Sequence, residues 1–316
     1  AVPKGTEFKF CPISLAVITT HSHMKNLIHL LAYLFLRTTS FILIILPLGF
    51  SYFLARLIGN FAYTVVRYRH RVVMDNLHIA FGSEKEETEL EIIAAESYRQ
   101  IAMSFIELLI APKLHKQIQQ IMAPKDSQLI QQLLQQGKGL IAISGHLGNW
   151  ELQGAAAATL LDEPFTVAAV QQSNPYINRF ITKRRTEMGM QVAGTKEAMK
   201  LLLKALKNKQ AVGLVADQNA GNTAVFVDFF GKIAATLPGP AQLALKYKAP
   251  MLVAAAIRTG PGQFKIVSQQ VEIKEDDTLE TLTQRHVKIL EDFIRQYPEQ
   301  YFWMHRRWKH RPKGEK

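Results

Sequence analysis

Lys138 to Glu151 reads KGLIAISGHLGNWE, and this stretch decides the fold. Its apolar run, Leu140 to Ile143, sits between glycines and suits a buried strand. Leu147 to Leu161 is rich in Ala and Leu and free of proline, which suits a helix. His146 then falls at the turn between them, where open α/β sheets expose reacting groups. With Glu151 in the first turns of the helix, its carboxylate would reach back to one imidazole nitrogen and fix the tautomer. The other nitrogen would be left for a substrate hydroxyl. A helix-capping His beside a solvated Glu is the competing reading, and spacing alone does not choose between them.

From this stretch to the C-terminus, apolar runs alternate with helical patterns. Strands are expected at 139–144, 165–170, 211–216, 225–229, 250–257 and 264–272, and helices at 148–161, 175–188, 196–208, 237–248 and 278–296. Such alternation predicts an α/β fold whose mostly parallel sheet is flanked by helices. No P-loop, Gly-x-Gly-x-x-Gly or Gly-x-Ser-x-Gly occurs, so nucleotide binding and serine-hydrolase chemistry lack their usual support.

Upstream, the chain is different in kind. Leu27 to Ile58 is nearly all apolar, and Thr38 to Ala55 carries no charge over 18 residues, the lower edge of what spans a bilayer. Pro47 and Gly49 could kink it; a buried helical hairpin is the competing reading, and an attached segment could span the bilayer or lie in its interface. The basic residues that follow (Arg56, Arg67, Arg69, Arg71) outnumber those before it, which orients the bulk of the protein to the cytoplasm. Residues 1–23, with the chain's one cysteine, Cys11, read as an appended leader ahead of a start at Met24. The expected organisation is therefore a membrane-anchoring helix at 24–58, a basic connector and helical segment at 59–124, an α/β domain at 125–312 and a tail at 313–316. Within 59–124, Ser83 to Ile110 reads as one helix with Ser83 as its N-cap.

A formal charge of +12 and a pI near 9.7 favour anionic partners. With Cys11 set aside, no disulfide or thiolate nucleophile is available. No His-Glu-x-x-His occurs, so no metal and no cofactor are expected.

Four further clusters combine chemistry with position. Arg179, Lys183, Arg184 and Arg185 concentrate charge on one helix, as an anion clamp or a solvated face. Asp217, Gln218 and Asn219 follow a buried strand and would face the same rim as His146, unless they form only an Asx-turn. Thr236 can cap the helix that continues through Pro238 and Gly239, whose free N–H groups suit an oxyanion. Tyr301 to Trp308 (YFWMHRRW) mixes aromatic and basic residues, as base-stacking or headgroup-level segments do; a docked C-terminal strand would explain it more simply.

Taken in order, these blocks carry a family resemblance. The set runs from Gly145-His146-Leu147-Gly148-Asn149-Trp150-Glu151 through Arg184-Arg185, Asp217-Gln218-Asn219, Phe229-Phe230-Gly231, Thr236-x-x-Gly239-Pro240-Ala241 and Pro250 to Tyr301-x-Trp303-x-His305-x-Arg307-Trp308. From about Met24 to Pro312 the chain resembles the bacterial lipid A late acyltransferases, the lauroyl and myristoyl transferases of the lysophospholipid acyltransferase superfamily. The resemblance implies a glycerolipid-acyltransferase-like fold at the cytoplasmic face of the inner membrane. It also implies transfer of a fatty acyl chain from an acyl carrier protein thioester to a hydroxyl of an anionic lipid A precursor, with no nucleic acid involved. His146 matches the general base and Glu151 the acid of the His-x4-Asp/Glu motif. Arg185, with Arg184, Asn149, Asp217, Gln218, Thr236 and Gly239, fills positions expected to bind substrate. Backbone N–H groups at Gly145 to Leu147, or at the helix after Thr236, would stabilise the oxyanion. A phosphatidylinositol mannoside or lysophospholipid acyltransferase is the alternative within the superfamily. A non-catalytic basic protein that binds lipid at the membrane periphery is the alternative from another class.

Overall fold

The computed structural model describes residues 12–114, 118, 124–161, 165–194, 197–310 and 312, with 12–23, 124–126 and 222 described by backbone alone. Cys11 and the tail at 313–316 lie outside the described residues.

Two apolar helices open the chain, α1 (Pro12–Ile45) and α2 (Leu48–Phe61). Pro47 divides them, because it lacks an N–H and forces the preceding residue out of the helical region. The uncharged window 38–55 is therefore not one spanning helix, and the expected anchor at 24–58 is two helices. Among the described residues, the helical segment long and apolar enough to cross a bilayer is Met24–Ile45. Its 22 residues extend about 33 Å at 1.5 Å per residue, against a hydrocarbon core of about 30 Å. Leu27, Leu31, Phe35, Phe41 and Ile45 on α1, and Phe50, Phe53, Leu57 and Phe61 on α2, are all exposed. α1 is continuous across Met24, so no break marks the expected start there.

A π-helical turn, Ala62–Val66, and two left-handed residues, Arg67 (φ 50°) and Arg69 (φ 55°), turn the chain into α3 (His70–Phe81). The next helix, α4, spans Glu87–Leu109 and starts later than the expected Ser83. The N–H groups of Glu84 and Lys85 are still closing the end of α3 on the Phe81 carbonyl. Glu86 is the N-cap instead, in a reciprocal capping box with Glu89.

After α5 (Pro124–Gln135) the α/β unit begins. Its elements are β1 (Leu140–Ser144), α6 (Trp150–Leu160), β2 (Phe165–Ala169), α7 (Pro175–Glu187), β3 (Met190–Gly194), α8 (Ala198–Lys207) and β4 (Ala211–Val215). There follow β5 (Val225–Phe229), β6 (Lys232–Thr236), α9 (Gly239–Tyr247), β7 (Met251–Gly260), β8 (Gln263–Val271) and α10 (Leu279–Gln296). Six strands form the main sheet in the order β3-β2-β4-β1-β7-β8, parallel except for β8. This is the expected mostly parallel sheet flanked by helices. β5 is not part of it: it pairs antiparallel with β6 as a separate hairpin through Phe230 and Gly231, both at positive φ.

Period-two alternation gives the sheet a core on each face. Ile141, Ile143, Met251 and Val253 point into one, packed on residues of α3, α8, α9 and α10. Leu140, Leu252 and Ala254 point into the other, packed on residues of α2, α4, α5 and α6. β1 and β4 are adjacent and in register, Ser144 opposite Val215. The segments leaving their C-terminal ends, 145–149 and 216–219, are neighbours for that reason.

Candidate active site

The ladder between β1 and β4 continues one step past the strands, with Ala216 N–H donating to the Ser144 carbonyl at 3.0 Å. That step sets Asp217 against the turn. Its Oδ2 accepts the backbone N–H of His146 at 2.9 Å, and its Oδ1 lies 2.8 Å from His146 Nδ1. With Nδ1 as donor to this carboxylate, Nε2 carries the lone pair. The ring is held between Trp150, at 4.7 Å between centroids, and Phe302, at 5.8 Å. The Gln218 side-chain amide sits 3.4 Å from Nε2.

The electrostatics follow from burial and pairing. Burial alone would lower the His146 pKa, but the charge and hydrogen bond of Asp217, with the charge of Glu151, raise it above 6.5. Burial works to raise Asp217; the charge of His146, its two hydrogen bonds and the charge of Arg307 hold it down at about 2. An imidazole paired through one nitrogen with a carboxylate held at so low a pKa is the arrangement in which a carboxylate can stabilise an imidazolium without taking its proton.

Glu151 does not make the expected bond to the imidazole. In the first turn of α6 it points toward α7, where Oε2 accepts from Arg185 Nε at 2.8 Å and Oε1 from Nη2 at 2.6 Å. A planar fork fits a carboxylate better than a single ring nitrogen does. Arg184 is also engaged, with Glu187 at 3.0 Å and the Ser40 hydroxyl of α1 at 3.1 Å. Arg185 and Arg184 therefore tie α7 to α6 and to α1.

Asn149 is buried, its amide turned into the protein. Oδ1 caps α6 by accepting from Glu151 and Leu152 N–H at 3.0 Å, and Nδ2 donates to Glu107 at 2.5 Å. Gly148 must be glycine: φ is +63°, and a Cβ there would lie 2.0 Å from the Ala256 carbonyl oxygen. Thr236 does not cap α9. It ends β6, fully buried, with Arg307 donating to its hydroxyl; Pro238 takes the N-cap position and Gly239 begins the helix. The N–H groups of His146, Gly148 and Asn149 are spent on Asp217, Gln300 and Ala256, which removes them as oxyanion donors. The mixed segment 301–308 is neither a stacking platform nor a strand. Trp303, Arg307 and Trp308 are buried, and one isolated bridge ties Tyr301 to Leu147 beneath the His146 turn.

Beneath this turn lies a network that sequence reasoning missed. Glu107 of α4, fully buried, accepts from Tyr52 at 2.6 Å and from Arg258 of β7 at 2.7 and 2.5 Å, besides Asn149. The signal was available as lone charges inside apolar runs, Glu107 in SFIELLI and Arg258 in AAAIRTG.

His146 opens onto a cavity of about 460 Å³. His146, Glu151, Arg185 and Gln218 line its polar part. The apolar part runs under α6 along one face of the sheet, past Ala142, Val167, Gly213, Leu252 and Ala254. Gly213 lets the Phe165 ring pack against the sheet here, since a Cβ would meet that ring at 2.6 Å. An apolar pocket with a few convergent polar groups is the usual form of a small-molecule site. Among the described residues no group of three or more His, Cys, Asp or Glu side chains is placed to hold a metal ion.

With the imidazole, its carboxylate and the apolar cavity in place, the family of the chain can be stated. The profile of the bacterial lipid A biosynthesis acyltransferases matches residues 19–310. The chain belongs to that family. This acyltransferase is 26% identical over 277 residues to the lipid A biosynthesis palmitoleoyltransferase of Escherichia coli, covering 85% of this chain and 88% of that protein. To the lipid A biosynthesis lauroyltransferase of the same organism it is 27% identical over 276 residues, again 85% and 88%. It is also 24% identical to the phosphatidylinositol mannoside acyltransferase of Mycolicibacterium smegmatis, over 179 residues, 55% of this chain and 58% of that one.

Proposed function

We propose that the protein transfers a fatty acyl chain from an acyl carrier protein thioester to a hydroxyl of a lipid A precursor, at the cytoplasmic face of the inner membrane. The observation that carries this reading is His146. One nitrogen is fixed by Asp217, and the other lies beside an apolar cavity. The acceptor hydroxyl oxygen attacks the thioester carbonyl carbon while Nε2 takes its proton. The tetrahedral intermediate then collapses, the carbon–sulfur bond breaks, and the imidazolium returns the proton to the sulfur. An ester and a free thiol result. General-base assistance of this kind contributes about 10²–10⁴-fold.

Asp217 takes the orienting role in this reading. Glu151 holds Arg185 at the cavity and adds its charge to the field on His146. With three backbone donors of the turn occupied, the Gln218 amide is the side-chain donor near the developing oxyanion. The apolar surface of α1 and α2 supports membrane attachment, and the charge of +12 favours an anionic lipid and an acidic carrier. Phosphatidylinositol mannoside is the second reading for the acceptor. The relatives that support it cover little over half of this chain or less, against 85% for the lipid A enzymes.

Mass spectrometry of a lipid A precursor incubated with a panel of carrier-protein thioesters tests the proposal. Wild type should add one acyl mass and His146→Ala none. Turnover by the variant near the wild-type rate would remove His146 as the base, and no gain with any donor would remove the acceptor assignment.

A further inference from the structure

On the far side of the two segments that hold His146 lies a second cavity, of about 590 Å³. Asp217 faces the imidazole, whereas Asn219, two residues on, forms the wall of this pocket. Phe302 N–H bonds the His146 carbonyl, whereas His305, three residues on, faces the pocket. Two residues of extended chain span no more than about 7 Å, so the pocket adjoins the catalytic turn.

Its wall is built rather than incidental. Asn219 N–H donates to His305 Nε2 at 3.0 Å, and Asn219 Nδ2 donates to the Arg307 carbonyl at 3.2 Å. Asn219 Oδ1 takes Gly221 N–H at 3.0 Å and lies 2.6 Å from His310 Nδ1. These bonds fix the 219–221 loop against the 305–310 segment. Arg69 closes a third side, donating to the Met304 carbonyl at 3.1 Å. Arg69, Arg306 and Lys309 line the space with the two histidines, and no acidic residue lines it. Arg306 and Lys309 are exposed and form no ion pair among the described residues. Elsewhere Arg185, Arg258, Arg285 and Arg295 all sit on carboxylates. Three like charges lining one space repel one another unless an anion joins them.

We infer that this pocket binds a phosphate monoester on the polar headgroup of the acceptor lipid, and so sets which hydroxyl reaches His146. The inference rests on the acylation reading above and names its acceptor subsite. Position favours the headgroup. Arg69 lies eight residues past the end of the apolar helix α2, which ties the pocket to the segment that would meet a bilayer, and three cations converge on one space with no acidic residue, as an anionic headgroup requires.

The test replaces the two exposed cations, Arg306→Ala with Lys309→Ala, whose loss should leave the fold intact. The acceptor KM should rise about 10- to 100-fold, as expected for lost charge-assisted bonds, while kcat and the thioester KM stay unchanged. With acceptor stripped of phosphate by a phosphatase, wild type and variant should become equal. An equal defect on the stripped acceptor, or a rise confined to the thioester KM, would overturn the assignment; the latter would make the pocket a carrier dock. A readout free of turnover is phosphorus NMR of glucosamine 1-phosphate titrated with the full chain in detergent. Wild type should broaden and shift the signal and the variant should not; no effect with wild type would sink the site. Tight binding of inorganic phosphate with an unchanged acceptor KM in the variant would reduce it to a free-phosphate site and overturn the headgroup claim. If wild type acylates no lipid A precursor yet binds the sugar phosphate, the acylation reading fails and the anion site stands.

Discussion

Asp217 and Glu151 are both nearly buried carboxylates beside the His146 turn, with side chains 2% and 10% exposed, yet they hold different partners. Asp217 takes the ring nitrogen and the backbone N–H of His146, whereas Glu151 takes the fork of Arg185. Chain proximity does not decide which carboxylate meets the imidazole. Five residues from His146, Glu151 is already in a helix whose first turn points it toward α7. Asp217, far away in sequence, is brought in by the parallel register of β1 and β4. The two carboxylate contacts are divided between a local residue and a distant one.

The largest effect should come from removing the distant one. Asp217→Asn keeps the shape but cannot hold the imidazolium, and kcat/KM should fall about 10²–10⁴-fold while the fold survives. Glu151→Gln should fall far less. If Glu151→Gln proved the more damaging in turnover at equal stability, the division of roles would be reversed.

A comparable energy, read as stability, is expected beneath the turn. Arg258→Met leaves Glu107 buried without its cation, and such losses cost about 3–5 kcal/mol. Urea unfolding measures it. Because Glu107 also binds Asn149, the variant should lose activity in proportion to the disorder of the α6 cap. A midpoint unchanged within error would show that this network does not carry the turn.

How much of this was legible in the chain depends on range. β1, β4 and the helices of the α/β unit are bounded runs whose extents follow closely from local pattern, whereas the start of α4 does not, because the end of α3 engages Glu84 and Lys85. β3 (MQVAG) and β6 (KIAAT) are short and partly polar, so they pass for loop or helix entry until their partners are known. β5 has the pattern of a strand, but nothing local says which sheet receives it. His146 and Asp217 were both visible as polar residues ending buried strands, and only the sheet order tells that they touch. Trp303 and Trp308 look like interface aromatics by composition, and their burial depends on packing against residues such as Phe81 and Phe229. Arg306 and Lys309, between and beside them, stay outside.

Breaking the local pair should cost less. Arg185→Ala should destabilise by about 1–3 kcal/mol, since Glu151 is left at a mostly buried position without its donor. The double variant Glu151→Ala with Arg185→Ala should recover part of that loss, giving a coupling energy on the order of 1 kcal/mol. Melting temperatures of the four proteins in the cycle measure it. Strict additivity would mean that Arg185 acts on something other than Glu151.

The smallest effect is a displacement along the pH axis, and it separates the two carboxylates most cleanly. In the proposed role His146 must be neutral to accept a proton, so kcat/KM should rise with pH through an inflection set by His146 in the free enzyme. That inflection lies above 6.5, because the charge and hydrogen bond of Asp217 and the charge of Glu151 together outweigh burial. Asp217→Asn deletes the larger contribution and should move the inflection to lower pH. Glu151→Gln should move it in the same direction by less. The stability signs are opposite for the two members of the pair. His146, with its pKa raised in the fold, contributes stability that is present below pH 6.5 and lost as pH rises through the folded value. Asp217, held at about 2, contributes stability that is present above its unfolded value and lost as pH falls toward 2. A pH profile of unfolding should therefore lose its His146-linked limb in Asp217→Asn and keep most of it in Glu151→Gln. Equal displacements in the two variants would place both carboxylates on the same footing and undo the comparison.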